Sequence, residues 1–119
     1  MTKISFIADV HVGNYGKNGG PMKAGVNRRC RDVLDTLARA DAKAREYGSS
    51  LVVLGDLLDY DRMEPQVITA VQRIMDPGSW CLVVGNHDQT STAPGDHAMA
   101  PLYPMATVVE EVDWVRYGA

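Results

Sequence analysis

Three short apolar runs divide the chain, and helical patterns or polar residues separate them. The runs cover residues 4–8, 51–54 and 81–84, and each is nearly continuous in apolar character. Half-exposed strands alternate apolar and polar residues, whereas strands covered on both faces, as in parallel sheets, do not. We therefore predict three strands of one parallel sheet, covered on both faces.

Two helical patterns lie between these runs, with apolar residues three and four positions apart. Asn27 is the predicted N-cap of the first helix, and Gly48 is the glycine that ends it. Pro65 suits the first position of the second helix, which the Asp-Pro-Gly sequence at 76–78 ends. The order strand–helix–strand–helix–strand predicts an α/β fold, with a mainly parallel βαβαβ sheet flanked by helices.

The remainder of the chain offers little further cover for this sheet. Residues 98–102 predict a helical turn and residues 106–109 and 112–115 two short strands, while Trp80 is expected to close a sheet edge. Two helices and a short tail are too little to cover strands that are apolar on both faces. We therefore expect an exposed apolar face or edge, with self-association into a homo-oligomer or dependence on a partner.

Composition restricts the class of protein. The 119 residues suit one domain, and 45% hydrophobic with 23% charged residues is typical of soluble globular chains. No apolar run reaches the roughly 18 residues of a membrane helix, and no secretion signal is recognisable. The two cysteines lack metal or disulfide spacing, so we expect a cytoplasmic protein without a membrane partner. A net charge of −3 excludes a general nucleic-acid-coating surface but allows a local basic patch.

Polar side chains follow each predicted strand directly. Asp9 and His11 follow the first strand, Asp56 and Asp59 the second, and Asn86, His87 and Asp88 the third. Sites in open α/β sheets lie at the carboxyl ends of the strands, so these groups are expected to converge. Mixed oxygen and imidazole ligands suit manganese, iron or zinc better than calcium. Two such cations about 3.5–4 Å apart can activate a water and clamp a phosphate.

The residue types suggest a division of roles. Asp9 and His11 are two positions apart, so extended backbone would direct both side chains to one cation. Asp56 has two oxygens with which to bridge two cations, and Asn86 offers a neutral carbonyl oxygen to the second. His87 is free to protonate a leaving alkoxide, because an imidazole titrates near pH ~6.5.

Other residues at the strand ends have supporting roles in this prediction. Asp59 and Asp88 are expected to orient imidazoles or water. Gly55 and Gly85 are expected to let the backbone turn sharply where the second and third strands end.

The ordered motifs Asp-x-His, Gly-Asp-x-x-Asp and Gly-Asn-His-Asp, spread over residues 9–88, resemble those of the calcineurin-like metallophosphoesterase family. The resemblance implies two divalent metal ions, with manganese preferred over iron or zinc, and hydrolysis of a phosphodiester such as DNA. It assigns Asp9 and His11 to the first metal, Asp56 to both metals, Asn86 to the second metal and His87 to the leaving group. The Asp-Val-His-Val-Gly-Asn run and the long first helix are closest to the DNA-repair nuclease branch and phage-encoded relatives.

The chain also departs from the family pattern, which continues with a further histidine and a Gly-His-x-His motif. After residue 88 the only histidine is His97, either a substitute ligand or a loop residue. The resemblance therefore implies a single truncated domain over residues 1–119, half of the family's four-layer sandwich, with an incomplete two-metal site. Two alternatives remain: a catalytically silent remnant or binding subunit, and one half of a split enzyme that needs a complementary C-terminal half.

Basic residues near the first helix are candidate phosphate contacts. Lys17 lies in a glycine-rich loop at 13–20, and Arg28 and Arg29 begin the helix. Cations at a helix N-terminus oppose the macrodipole, and this cost invites an interpretation as phosphate contacts. The alternative is a flexible loop at the mouth of the site, with Arg28 and Arg31 in ion pairs with aspartates four residues later.

Overall fold

The computed structural model describes residues 3–59, 63–75, 80–85, 102 and 106–109. Two helices and six strands lie within these ranges. They are β1 (Lys3–Ile7), β2 (Met22–Lys23), β3 (Val26–Asn27), α1 (Arg28–Glu46), β4 (Ser49–Leu54), α2 (Pro65–Ile74), β5 (Trp80–Val83) and β6 (Thr107–Val109).

The main sheet has four strands in the order β1-β4-β5-β6, and all neighbouring pairs are parallel. This arrangement confirms the predicted α/β fold, with β1, α1, β4, α2 and β5 as the predicted βαβαβ order. Strand β6 confirms the prediction for residues 106–109. The strand predicted at 112–115, and all but the buried Leu102 of the turn predicted at 98–102, lie outside the described residues.

Both helices begin, and α1 also ends, as their local sequences predict, whereas the Asp-Pro-Gly sequence predicted to end α2 lies outside the described residues. The side chain of Asn27 caps α1 by accepting a hydrogen bond from the Cys30 backbone N–H at 2.9 Å. Gly48 follows the last turn with φ of +64°, and its N–H donates to the Arg45 carbonyl at 2.9 Å. Pro65 occupies the first turn of α2.

Both helices pack on one face of the sheet. Strand–helix–strand crossovers are almost always right-handed, and β4 and β5 are added in the same direction, so α1 and α2 are expected on the same side, where they contact each other. The strands contribute four large buried side chains to this face, from Leu51, Val53, Trp80 and Leu82. Trp80 is 1% exposed, and its indole N–H donates to the Asp41 carboxylate of α1 at 2.8 Å. The prediction that Trp80 closes a sheet edge is wrong, because this bond places the indole between sheet and helix.

The opposite face is less covered. Ile4, Phe6 and Leu54 are 40%, 60% and 50% exposed, although Val52 and Cys81 beside them are buried. The expected exposed apolar face is therefore present among the described residues. The continuous apolar runs predicted cover on both faces, and for these three positions that prediction is wrong.

A short antiparallel hairpin of β2 and β3 precedes α1 and was not predicted. Ala24 and Gly25 connect its strands, with φ of +52° and +77°. Two successive positive φ values are typical of a type I′ turn. The hairpin brings the glycine-rich loop back to the start of α1.

Within the described ranges no helix is long and apolar enough to cross a membrane.

Candidate metal centre

The segments that follow β1 and β4 are joined backbone to backbone. Val12 and Leu58 form a parallel bridge. The His11 N–H donates to the Asp56 carbonyl at 2.9 Å, and the Val12 N–H donates to the Leu57 carbonyl at 2.8 Å. Val12, Leu57 and Leu58 are fully buried, so the bridge is anchored in the core. Two segments that carry candidate ligands are thus held in one register.

Asp9, His11 and Asp56 converge beside this bridge. One ligand atom from each lies within 4.8 Å of the other two. His11 Nε2 lies 3.7 Å from Asp9 Oδ1. Bonds of roughly 2.1 Å place two ligands of one ion at most ~4.2 Å apart, so this pair fits a shared cation. The Asp9 side chain is 79% exposed and the His11 side chain 27%, which leaves the group open to solvent on the Asp9 side.

Asp59 lies on the other side of the His11 ring. Its Oδ1 is 3.2 Å from His11 Nδ1, and its backbone N–H donates to the Val12 carbonyl at 2.9 Å. A carboxylate at Nδ1 fixes the ring orientation and leaves Nε2 for a ligand. From this position Asp59 can orient the imidazole of His11, which is the role predicted for it.

The backbone at these residues is left-handed. The φ angles of Asp9, His11 and Asp56 are +54°, +53° and +51°. Aspartate and histidine adopt this region more readily than most residues, and such conformations persist where surrounding contacts hold them. The prediction that Asp9 and His11 share a direction because the backbone is extended is therefore wrong. The side chains meet through two left-handed turns instead.

The two glycines at the strand ends differ from each other. Gly55 has φ of +78°, which agrees with a sharp turn after β4. A Cβ on Gly85 would collide with the backbone nitrogen and the carboxylate of Asp56. Gly85 is thus needed for close approach, rather than for the turn that was predicted. The end of β5 consequently lies against Asp56.

The remaining candidates of the third strand end lie outside the described residues. These are Asn86, His87 and Asp88, together with His97. Their predicted roles stay predictions, although Gly85, the residue before Asn86, abuts Asp56.

The arginines at the start of α1 hold the preceding loop. The Arg29 guanidinium lies 4.2 Å from the centroid of the Tyr15 ring and donates to the Lys17 carbonyl at 3.3 Å. Arg31 donates to the Val26 carbonyl at 2.7 Å. Neither Arg28 nor Arg31 forms the expected ion pair among the described residues, so that prediction is wrong. For Arg31, the backbone carbonyls of Pro21 and Val26 take the place of an aspartate.

Tyr15 was not predicted to belong to this site. Its hydroxyl donates a hydrogen bond to the His11 backbone carbonyl. A tyrosine four residues after a histidine in a glycine-rich loop has no distinguishing pattern. Only the folded path of the loop brings the two residues together.

A comparison with curated proteins returned no match. The family model described as Calcineurin-like phosphoesterase matches residues 2–118. This span contains the parallel sheet, both helices and the convergent Asp9, His11 and Asp56. The chain therefore belongs to the calcineurin-like phosphoesterase family.

Proposed function

We propose that this protein hydrolyses phosphodiesters, such as DNA, at a metal centre formed by Asp9, His11 and Asp56. Membership of the family supports metal-dependent phosphoester hydrolysis in general. The observation that carries the proposal is the convergence of the three ligand atoms within 4.8 Å. They lie at the carboxyl edge of the parallel sheet, where α/β folds place their ligands.

The donor set fits a divalent transition metal. Two carboxylates and one imidazole are ligands that manganese, iron and zinc accept, and we propose manganese. The carboxylate of Asp59 at His11 Nδ1 matches the arrangement that supports metal-bound imidazoles in general. The second ion of the proposal would use Asp56 as a bridge and the carbonyl oxygen of Asn86.

The residues of the proposed site have separate roles. Divalent ions, when bound, supply Lewis acidity toward a phosphoryl oxygen and lower the pKa of water. Asp59 holds the His11 ring so that Nε2 faces Asp9. His87 donates a proton to the leaving oxygen of the substrate. The exposure of Asp9 leaves room for a phosphoester to reach the group from solvent.

Exposed cations on and beside the loop that bears Tyr15, whose hydroxyl bonds the His11 carbonyl, support an extended anionic substrate. Lys17 is exposed on the loop and Arg28 and Arg29 are exposed at the start of α1, and the Arg29 guanidinium donates to the Lys17 carbonyl at 3.3 Å. We propose that these three side chains contact phosphates that flank the scissile one. The net charge of −3 makes such a patch local rather than general.

The test is manganese binding, followed by calorimetry, together with hydrolysis of bis-p-nitrophenyl phosphate and of p-nitrophenyl phosphate. We expect Asp56→Asn to weaken manganese binding and to slow diester hydrolysis by at least ~10–100-fold, the loss seen when even the supports of metal ligands are removed. Asp35→Asn, an exposed aspartate of α1, is the matched control and should behave as the wild type.

The same assay distinguishes the other outcomes. Hydrolysis that is indifferent to manganese and to Asp56→Asn would contradict the metal centre. A preference for the monoester would contradict the substrate class. Metal binding without hydrolysis would support a binding subunit. Hydrolysis that begins only after addition of a polypeptide with a Gly-His-x-His motif would support a split enzyme.

A further inference from the structure

Both polar groups of the His11 backbone form hydrogen bonds. The N–H donates to the Asp56 carbonyl at 2.9 Å. The carbonyl accepts a hydrogen bond from the Tyr15 hydroxyl. Between these two bonds the residue has φ of +53°, in the left-handed region. The Tyr15 bond thus constrains the peptide plane directly after His11.

Tyr15 is itself tied to the start of α1. Its carbonyl accepts a hydrogen bond from the Asn27 side-chain amide at 2.9 Å. Its ring faces the guanidinium of Arg29 at 4.2 Å. Asn27 is 5% exposed, and it also caps α1 through the Cys30 N–H. The position of the Tyr15 side chain is therefore set by the packed end of the helix.

The loop between Tyr15 and α1 packs too tightly to shift freely. Gly19 is buried, and a Cβ at this position would collide with the Tyr15 carbonyl and the Asn27 amide. The Gly19 carbonyl also accepts a hydrogen bond from the Arg29 N–H at 2.9 Å. Contacts to both the backbone and the ring of Tyr15 fix its position, so its hydroxyl is held where it can bond the His11 carbonyl.

We infer that Tyr15 is a positioning residue for the metal centre: its hydroxyl keeps the His11 backbone left-handed, so that the imidazole presents Nε2 toward Asp9. This inference rests on the proposed function. Without the hydroxyl, the His11 backbone is free to relax toward the more stable negative φ region, which redirects the Cβ and the ring. Tyr15 acts through His11 and does not itself bind the metal.

The experiment uses Co²⁺ as the probe, because its absorption bands report the ligand geometry as well as the affinity. We expect Tyr15→Phe, which keeps the ring on Arg29, to bind Co²⁺ about tenfold more weakly, as for the loss of other residues that orient metal ligands. The Co²⁺ spectrum should change, while the unfolding temperature of the metal-free protein changes little. Tyr47→Phe is the matched control, since Tyr47 is 55% exposed at the other end of α1.

A second variant, Tyr15→Leu, removes the ring as well as the hydroxyl. Comparable weakening in Tyr15→Phe and Tyr15→Leu would support the hydroxyl as the cause. Wild-type affinity and an unchanged spectrum in Tyr15→Phe would overturn the inference, and so would weakening in Tyr15→Leu alone, which would assign the effect to the contact with Arg29. Failure of the wild type to bind Co²⁺ would be a different result, which contradicts the metal centre and the inference together.

Discussion

The two faces of the parallel sheet are built from the same apolar runs but have different surroundings. On the helix-covered face Leu82 is fully buried, whereas on the opposite face Leu54 is 50% exposed. The two leucines lie on neighbouring strands, with Leu54 in register with Val83, the residue after Leu82. Residue type is therefore not what determines burial here.

Connectivity explains the difference. Strand–helix–strand units are right-handed as a rule, and here the strands are added in one direction, so both helices lie on one face and contact each other. The two helices therefore do not cover the apolar residues on the other face, and Ile4, Phe6 and Leu54 are exposed there. A continuous apolar run thus indicates that a strand can be buried on both faces, not that two helices will cover both.

The largest expected effect is on the helix-covered face. We expect Leu82→Ala to lower the free energy of unfolding by about 2–5 kcal/mol, because it removes buried methyl groups and leaves a cavity. Leu54→Ala, the matched control on the other face, should cost less than ~1 kcal/mol. Urea unfolding measures both values. Equal losses for the two leucines would break the comparison.

The next effect concerns the polar link between sheet and helix. The buried Asp41 carboxylate accepts from the Trp80 indole at 2.8 Å and lies 2.7 Å from the Arg45 guanidinium. Asp41→Ala leaves the indole N–H without this acceptor and should cost about 1–3 kcal/mol. Asp41→Asn keeps an acceptor oxygen and should cost less. An Asp41→Ala variant as stable as the wild type in urea would contradict this role.

A smaller effect depends on pH. Burial raises the pKa of the Cys30 thiol in α1, so the folded state holds this proton more tightly than the unfolded state. The contribution of Cys30 to stability is complete below the ordinary thiol pKa of about 8.5, and it is lost as pH rises through the folded value. We expect the unfolding free energy of Cys30→Ala to fall less than that of the wild type between about pH 8 and about pH 10, a range that brackets the ordinary thiol pKa. Parallel pH profiles of urea unfolding would argue against it.

The smallest effect on stability belongs to the open face. Phe6 is 60% exposed, so Phe6→Ser should change the free energy of unfolding by less than ~1 kcal/mol. The same variant should bind less of a hydrophobic dye and self-associate less, since exposed apolar patches often mark interfaces. A loss above roughly 2 kcal/mol would show that this face is covered in solution.

Local signals account for what the sequence predicted well. Asn27, Gly48 and Pro65 mark helix ends because capping depends on the residue itself and on backbone a few positions away. The convergence of Asp9 and Asp56 was expected because adjacent parallel strands end at one edge. Each of these inferences needs no more than strand order and neighbouring residues.

The details of the centre depend on distant contacts and could not be read from spacing. The left-handed backbone of His11 is held by the carbonyl of Asp56, which is distant in sequence, and by the hydroxyl of Tyr15, which is only four residues away but is positioned by the contacts of its loop with α1. The need for glycine at position 85 likewise arises from Asp56, which is far from it in sequence. The roles assigned to Asn86 and His87 stay predictions.

The left-handed backbone at Asp56 also restricts which replacements can survive there during divergence. Asparagine and glycine are the residues that enter this region most easily, and asparagine has nearly the same shape as aspartate. A single substitution can therefore remove the negative charge while the turn after β4 stays intact. An asparagine at position 56 would therefore keep the fold while removing one carboxylate from the candidate ligand group.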